Sequence, residues 1–112
     1  RLLVIGGAGS LYIDGQQLVD SPSFPSAWKA GATAARDYLT TLQEEKQLDW
    51  TFLSPAIELV PGQRTGKYRL GTESPVFDQE GKSKISVEDL AVAVIDEIER
   101  PQHIQKRFTL GY

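Results

Sequence analysis

Apolar residues follow two patterns along the chain, short continuous runs and longer stretches with helical spacing. Leu2–Ile5 is a continuous apolar run, which is typical of a strand buried on both faces of a parallel sheet. From about Ser26 to Lys46, alanine, tyrosine and leucine recur every three or four positions and predict an amphipathic helix. Asp49–Pro55 has the composition of a second buried strand, ended by a proline that cannot donate to a strand ladder. Strand, helix and strand in this order predict one right-handed crossover of a parallel sheet.

The segments around this unit carry turn and cap signals. Residues 11–19 predict a small hairpin, because Asp14-Gly15 suits the positive φ angles of a tight turn. Ser86–Asp89 matches a capping box, in which the side chains of both end residues lie near exposed backbone amides, and predicts a helix that runs to about Glu99. Arg107–Tyr112 alternates like a last strand, which we expect at the edge of the sheet.

Residues 56–85 differ from the rest because glycines interrupt their short apolar runs. The interruptions fall at Gly62, Gly66, Gly71 and Gly81. We interpret this segment as a small lobe of short strands or loops laid over the carboxyl edge of the sheet.

Composition limits the classes of protein to which the chain can belong. A length of 112 residues corresponds to one domain or part of one, and 40% hydrophobic residues indicate a globular α/β chain. A net charge of −3 makes nucleic acid and anionic membranes unfavourable partners. The absence of cysteine excludes a disulfide framework and a thiolate zinc site, and we expect a cytoplasmic location.

The candidate chemistry follows the two predicted strands. In open parallel sheets, ligands bind outside the carboxyl ends of the strands, where Gly6–Ser10 and Ser54–Ile57 lie. The glycines would let the backbone approach a flat or charged ligand, and the Ser10 hydroxyl could donate or accept a hydrogen bond. Each segment also has a purely structural interpretation, a glycine turn for strand exit and a proline that terminates a strand.

Two residues at the start of the predicted long helix are candidates for contact with a substrate. Trp28 suits a stacking platform, although a core or lid aromatic is the commoner role of such a residue. Lys29 could meet a phosphate or carboxylate, although a solvated lysine is the simpler interpretation.

The remaining titratable residues give no catalytic group. His103, the single histidine, follows Pro101 in a polar connector, and we expect it to be exposed. Asp96, Glu97 and Glu99 fall on the predicted polar side of a helix, where their simplest role is solubility. The sequence therefore leaves the catalytic residues unknown.

Four segments together resemble one family. These are Val4–Ser10, Leu48–Ala56, Arg64–Arg69 and Ile85–Ala91. In this order they are similar to the second half of an atypical short-chain dehydrogenase/reductase, of the NAD(P)H-binding, NADH-flavin reductase-like group related to NmrA and biliverdin reductase B. The resemblance implies an α/β fold, the C-terminal half of a Rossmann-type doubly wound parallel sheet. In that fold residues 56–85 would form the small substrate lobe, and an upstream half that binds the nucleotide would be absent.

The resemblance also implies a binding site for NAD(P)H in the full-length protein. The nicotinamide would be flanked by residues after the first strand, Gly6, Gly7, Ala8 and Ser10. Its carboxamide would lie against the end of the second strand, formed by Ser54, Pro55, Ala56 and Ile57.

One departure from the family pattern bears on the reaction. Classical members begin the long helix with Tyr-x-x-x-Lys, whereas this chain has Trp28 and Ala32 at those positions. Reduction of a simple carbonyl and sugar epimerase or dehydratase chemistry are therefore disfavoured. Hydride transfer to a flavin, quinone or similar conjugated acceptor is favoured, because such an acceptor can take its proton from water. The alternative is a non-catalytic NAD(P)-binding redox sensor of NmrA type.

The 112-residue chain alone is expected to be inactive, since half of the cofactor site would be absent. The edge of Leu2–Ile5 would then be unpaired, which favours a homodimer or other self-association through strand pairing.

Overall fold

The structure, a computed structural model, describes residues 1–112 and is built on one four-stranded sheet. The strands in chain order are β1 (Leu2–Ile5), β2 (Tyr12–Ile13), β3 (Gln16–Gln17), β4 (Trp50–Ser54), β5 (Glu58–Val60), β6 (Arg69–Gly71), β7 (Lys84–Ser86) and β8 (Lys106–Gly111). The helices are α1 (Ser26–Gln43) and α2 (Val87–Glu99), and a short 3-10 helix spans Leu18–Asp20. The main sheet has the order β1-β4-β8-β6, with β1, β4 and β8 parallel and β6 antiparallel to β8.

The two faces of this sheet are covered by different helices. Side chains alternate along β4, so that Trp50 and Phe52 form one cluster with Leu39 and Leu42 of α1. Leu53 points to the other face, where a second cluster joins it to side chains of α2, β7 and β8. This second cluster contains Leu53, Ala56, Ile85, Leu90, Ala93, Phe108 and Leu110. Because both faces are covered, all five residues of β4 are buried, as expected for a central parallel strand.

The predicted crossover and hairpin are confirmed. β1 and β4 pair in parallel with α1 between them, and α1 ends at Gln43, three residues before the predicted end. β2 and β3 form an antiparallel hairpin around Asp14 and Gly15, whose φ angles are 52° and 79°.

The prediction that the last strand lies at the sheet edge is wrong. β8 lies between β4 and β6, and its residues from Arg107 to Gly111 are all buried. The reason is that β6, only three residues long, pairs antiparallel along the outer side of β8. Residues alternate along β8 because Phe108 and Leu110 pack into the cluster with α2, while Arg107 and Thr109 point to the opposite face of the sheet.

Residues 56–85 are divided between two sheets. β6 belongs to the main sheet, whereas β5 pairs in parallel with β7 in a separate two-stranded sheet. The lobe assigned to this segment from the sequence therefore stays a prediction, and the structure attaches part of it directly to β8.

The start of α2 is fastened to the preceding loop by a buried carboxylate. The Ser86 hydroxyl accepts a hydrogen bond from the Asp89 amide at 3.0 Å, which confirms the predicted N-cap. The Asp89 carboxylate does not return to the cap as in a full capping box. It accepts hydrogen bonds from the Thr65 amide at 2.9 Å, the Gly66 amide at 2.9 Å, the Thr65 hydroxyl at 2.6 Å and the Tyr112 hydroxyl at 2.5 Å.

These contacts favour the ionised carboxylate. Burial by itself raises the pKa of Asp89, but the hydrogen bonds from Thr65, Tyr112 and Gly66 outweigh it and lower the pKa from 3.8 to about 2. Asp89 therefore stabilises the fold above about pH 4, and this contribution is lost as the pH falls toward 2.

We predict that urea unfolding of the chain will show a decrease in stability between about pH 4 and pH 2 to which Asp89 contributes. The Asp89→Asn variant, which keeps the size of the side chain and removes its charge, should be less stable at pH 7 and lose less on acidification. Glu88→Gln, one residue away on the exposed side of the helix, is the matched control. An equal pH dependence in Asp89→Asn and the native chain would contradict the assignment.

Candidate functional site

A groove of about 390 Å³ opens where the carboxyl ends of β1 and β4 meet the start of α1. Its walls come from the turn after β1, the segment before α1, the first turns of α1 and the segment after β4. The lining residues are Ala8, Gly9, Leu18, Ser21, Ser23, Phe24, Pro25, Trp28, Ala32, Pro55, Ala56, Ile57 and Leu59. No charged side chain is among them. This is the edge of the sheet at which open α/β folds place their ligands.

Close packing requires glycine at two positions of the turn after β1. A Cβ atom on Gly6 would lie 2.0 Å from the ring of Phe52, a side chain in the core of the sheet. A Cβ atom on Gly9 would lie 2.9 Å from the Ala32 Cβ and 3.2 Å from the Val19 Cβ. Since neither position can accept a side chain without movement of its neighbours, these glycines allow the turn to lie directly against β4 and α1.

Beneath the groove, the two strand ends are joined by a buried arginine. The Arg107 side chain, only 2% exposed, projects from β8 and donates to the Ser10 hydroxyl at 2.8 Å and the Ser54 hydroxyl at 3.2 Å. It also donates to the Ser10 carbonyl oxygen at 3.2 Å. Its charge is balanced by Glu73, whose carboxylate accepts a hydrogen bond at 2.6 Å and is 56% exposed. Arg107 therefore ties the turn after β1 to the end of β4.

The structure separates the predicted site residues into two groups. Those that line the groove are Ala8, Trp28, Pro55, Ala56 and Ile57. Those that do not are Gly6, Gly7, Ser10, Lys29 and Ser54. Trp28 is 64% exposed, so it lies at the rim of the groove and not in the core. Lys29 is exposed outside the lining.

Arg107 and Glu73 were not identified from the sequence. For Arg107, the sequence does contain a signal. It is a charged residue next to Phe108 in a predicted strand, and such a residue, if buried, nearly always has a partner. Glu73 gave no comparable signal, since it lies in a loop and is distant from Arg107 in the sequence.

The predictions for His103 and Glu97, near the end of α2, are wrong, whereas Asp96 and Glu99 are exposed as predicted. His103 is largely buried, with its ring stacked on Phe108 at a centroid distance of 4.2 Å. Glu97 is 5% exposed, and its carboxylate accepts hydrogen bonds from His103 Nδ1 at 2.8 Å and from the Gln102 and His103 amides. Burial raises the pKa of Glu97, but these hydrogen bonds lower it below its ordinary value. Glu97 and His103 thus hold the segment between α2 and β8 against the sheet, at the edge opposite the groove.

Comparisons with known proteins agree on the fold. No protein-family model matches the chain. The uncharacterized protein YwnB of Bacillus subtilis is 44% identical over 114 residues, which cover 98% of this chain and 54% of YwnB. A candidate epimerase from Bacteroides thetaiotaomicron has 51% identity and a TM-score of 0.94, covering 98% of this chain and 52% of its own. A candidate NADH-flavin reductase from Streptococcus pneumoniae has 42% identity and a TM-score of 0.91, covering 97% of this chain and 54% of its own.

Short-chain dehydrogenase/reductase structures of lower identity share the same fold over the whole chain. Over about half of their length, the chain is thus similar to a group of Rossmann-type proteins that includes a candidate NADH-flavin reductase. The resemblance to one half of such proteins and the Rossmann-type fold, both predicted from the sequence, are confirmed. The more specific relation to NmrA and biliverdin reductase B stays a prediction.

The chain spans about half the length of the relatives that it matches. Relatives of similar identity also differ in description, since a structure from Burkholderia pseudomallei, 48% identical with a TM-score of 0.94, is described as a candidate exported protein. No helix of the chain has both the length and the apolar character that a membrane span requires.

We predict that the Arg107→Met variant, which removes the buried charge and keeps an apolar stem, will lower the free energy of unfolding by about 3 kcal/mol. The reason is that the Ser10 and Ser54 hydroxyls and the Ser10 carbonyl oxygen would lose their buried donor. Urea denaturation followed by circular dichroism measures the change.

Arg64→Met is the matched control, because Arg64 is exposed in a loop. A loss in Arg107→Met no larger than in Arg64→Met would show that the buried arginine does not hold the strand ends together. Glu73→Gln, which keeps a hydrogen-bond acceptor, should cost less than Arg107→Met since Glu73 is half exposed.

Proposed function

We propose that this chain forms part of an NAD(P)H-dependent oxidoreductase that transfers hydride to a flavin, quinone or similar conjugated acceptor. The observation that carries the proposal is the uncharged groove at the carboxyl ends of β1 and β4. The groove lies outside the carboxyl ends of parallel strands, where open α/β folds bind their ligands, and this position supports the proposal. The described likeness to a candidate NADH-flavin reductase supports the same class of reaction.

The lining residues fit a flat nicotinamide ring. Ala8, Pro55, Ala56 and Ile57 supply small or apolar surfaces that would lie against it, and bound NAD(P)H would supply the hydride. Gly6, Gly7, Ser10 and Ser54 would shape this wall from behind, with the two serine hydroxyls held by Arg107. These roles are proposals for the full-length protein.

The groove lacks a group that could protonate a substrate. Trp28 and Ala32 line it at the positions where the classical family dyad would place tyrosine and lysine, and no ionisable side chain replaces them. Trp28 would instead present its ring to the acceptor, with Lys29 beside it on the exposed side. A conjugated acceptor takes its proton from water, so hydride transfer does not require the dyad. We place this activity in the cytoplasm.

The prediction is that the full-length protein will bind NADPH or NADH and oxidise it when FMN or a quinone is added. The 112-residue chain should show neither tight binding nor turnover. Fluorescence titration of the reduced dinucleotide, followed by its absorbance after addition of the acceptor, measures both steps.

Binding without oxidation by the full-length protein would favour a non-catalytic redox sensor of NmrA type. Tight dinucleotide binding by the 112-residue chain would show that the cofactor site has been placed incorrectly. Absence of binding to both proteins would overturn the proposed function.

The outer edge of β1 supports a further proposal about the isolated chain. β1 pairs only with β4, and Ile5 at its end is 52% exposed. An unpaired strand edge with apolar side chains favours pairing with another copy. We predict that the 112-residue chain self-associates as its concentration rises, measured by size-exclusion chromatography with light scattering. A monodisperse monomer at high concentration would contradict this.

A further inference from the structure

A second cavity, of about 270 Å³, lies on the face of the sheet that α1 covers. Its walls come from α1, the β2–β3 hairpin, β8 and the loop that carries Glu73. Unlike the groove, this arginine cavity is lined mainly by polar side chains, which include those of Gln17, Arg36, Thr40, Gln43, Glu73 and Arg107. No residue lines both the arginine cavity and the groove, so the proposed function makes no use of this cavity.

Two guanidinium groups reach the arginine cavity from different elements, Arg107 from β8 and Arg36 from α1. One series of hydrogen bonds connects them. Arg36 Nη1 donates to the side-chain oxygen of Gln17 at 3.2 Å, and Gln17 Nε2 donates to the Ser10 carbonyl oxygen at 3.3 Å. Arg107 Nη2 donates to that same carbonyl oxygen at 3.2 Å. The two positive charges are therefore held in one network.

Neither guanidinium group has partners for all of its donors. Arg107 Nε is buried and has no hydrogen-bond partner. Arg36 uses Nη1 for its hydrogen bonds to Gln17 and Asp20, and its Nη2 makes none. Because guanidinium groups form their strongest hydrogen bonds with carboxylates and other oxyanions, the lining is suited to a negatively charged ligand.

The carboxylates that balance the two arginines are accessible to solvent. Glu73 accepts from Arg107 at 2.6 Å with 56% of its side chain exposed, and Asp20 pairs with Arg36 at 3.0 Å with 50% exposed. The Tyr12 amide donates to the Glu73 carbonyl oxygen at 2.8 Å, so the hairpin holds the Glu73 backbone while the carboxylate is free to turn into water. A ligand carboxylate can therefore replace that of Glu73 without movement of the loop.

We propose that the arginine cavity binds a small organic dicarboxylate. One carboxylate of the ligand takes the place of Glu73 on Arg107 Nη2, and the other accepts from Arg36 Nη2. Two arginines against one carboxylate in the lining favour a dianion over an uncharged molecule. The volume lies just below the roughly 300 Å³ at which sites for drug-sized ligands begin, so the ligand is small.

Succinate and its uncharged diamide, succinamide, are a matched pair of probes, because they share one carbon chain and differ in charge. In calorimetric titration of the full-length protein, succinate should bind and succinamide should not. Arg36→Gln, which removes the charge and keeps a hydrogen-bond donor, should weaken succinate binding about tenfold. Arg64→Gln, at an exposed loop position outside the cavity, is the control and should leave the affinity unchanged.

The competition with Glu73 has a test of its own. Glu73→Gln removes the carboxylate that the ligand must displace and should strengthen succinate binding about fivefold. Glu80→Gln removes the same charge from an exposed position outside the cavity and should have no effect. Circular dichroism of each variant shows whether its fold is kept.

Absence of succinate binding, equal affinity for succinamide, or equal effects within either pair of variants would each overturn the proposal. Inorganic phosphate that binds as tightly as succinate, with the same dependence on Arg36 and Glu73, would also overturn it, because the cavity would then select a single compact anion. These outcomes are separate from failure of the proposed function, since succinate binding and dinucleotide oxidation are measured at sites with no lining residue in common.

Discussion

The arrangement of the groove depends on one buried cation. Arg107 is the residue through which β8 reaches both strand ends, because its guanidinium group contacts Ser10, Ser54 and Glu73 at once. A buried guanidinium group is costly unless its donors are paired, so the chain segments that supply these acceptors are held in a narrow set of positions. Its Nε atom has no partner, which concentrates the whole interaction on the two terminal nitrogens. The loop containing Glu73 thereby becomes part of the support for the strand ends.

Packing against this support explains why the site is apolar. With the serine hydroxyls turned toward Arg107, the surfaces left facing the groove are those of Ala8, Ala56 and Pro55. In both segments, the serine hydroxyl is thus directed toward Arg107 and the apolar side chains face the groove. The result is a largely apolar groove whose neighbouring Ser10 and Ser54 hydroxyls are held on the other side by Arg107.

Local sequence patterns predicted the helices and strands of this fold, but they could not predict contacts between residues that are distant in the sequence. The run Leu2–Ile5 and the helical spacing after Ser26 correctly predicted a strand and a helix, but β1 lies at the edge of the sheet and is only partly buried. The position of β8 depended on β6, a strand of three residues with no period of its own. The polar neighbours of His103 in the sequence predict an exposed residue, whereas its burial arises from stacking on Phe108 of the strand that follows it. For the same reason, the sequence predicts that Ser10 lies near the groove but does not predict that its hydroxyl points away from the groove toward Arg107.

Tyr112 fastens three parts of the chain through different atoms. Its hydroxyl donates to Asp89 at 2.5 Å and accepts from the Ser86 amide at 3.3 Å, while its carbonyl oxygen accepts from Arg69 at 2.6 Å. The start of α2, the end of β8 and β6 consequently share a single aromatic residue. Loss of the Tyr112 hydroxyl alone would therefore loosen the start of α2 from the end of β8, while the backbone contact with β6 would remain.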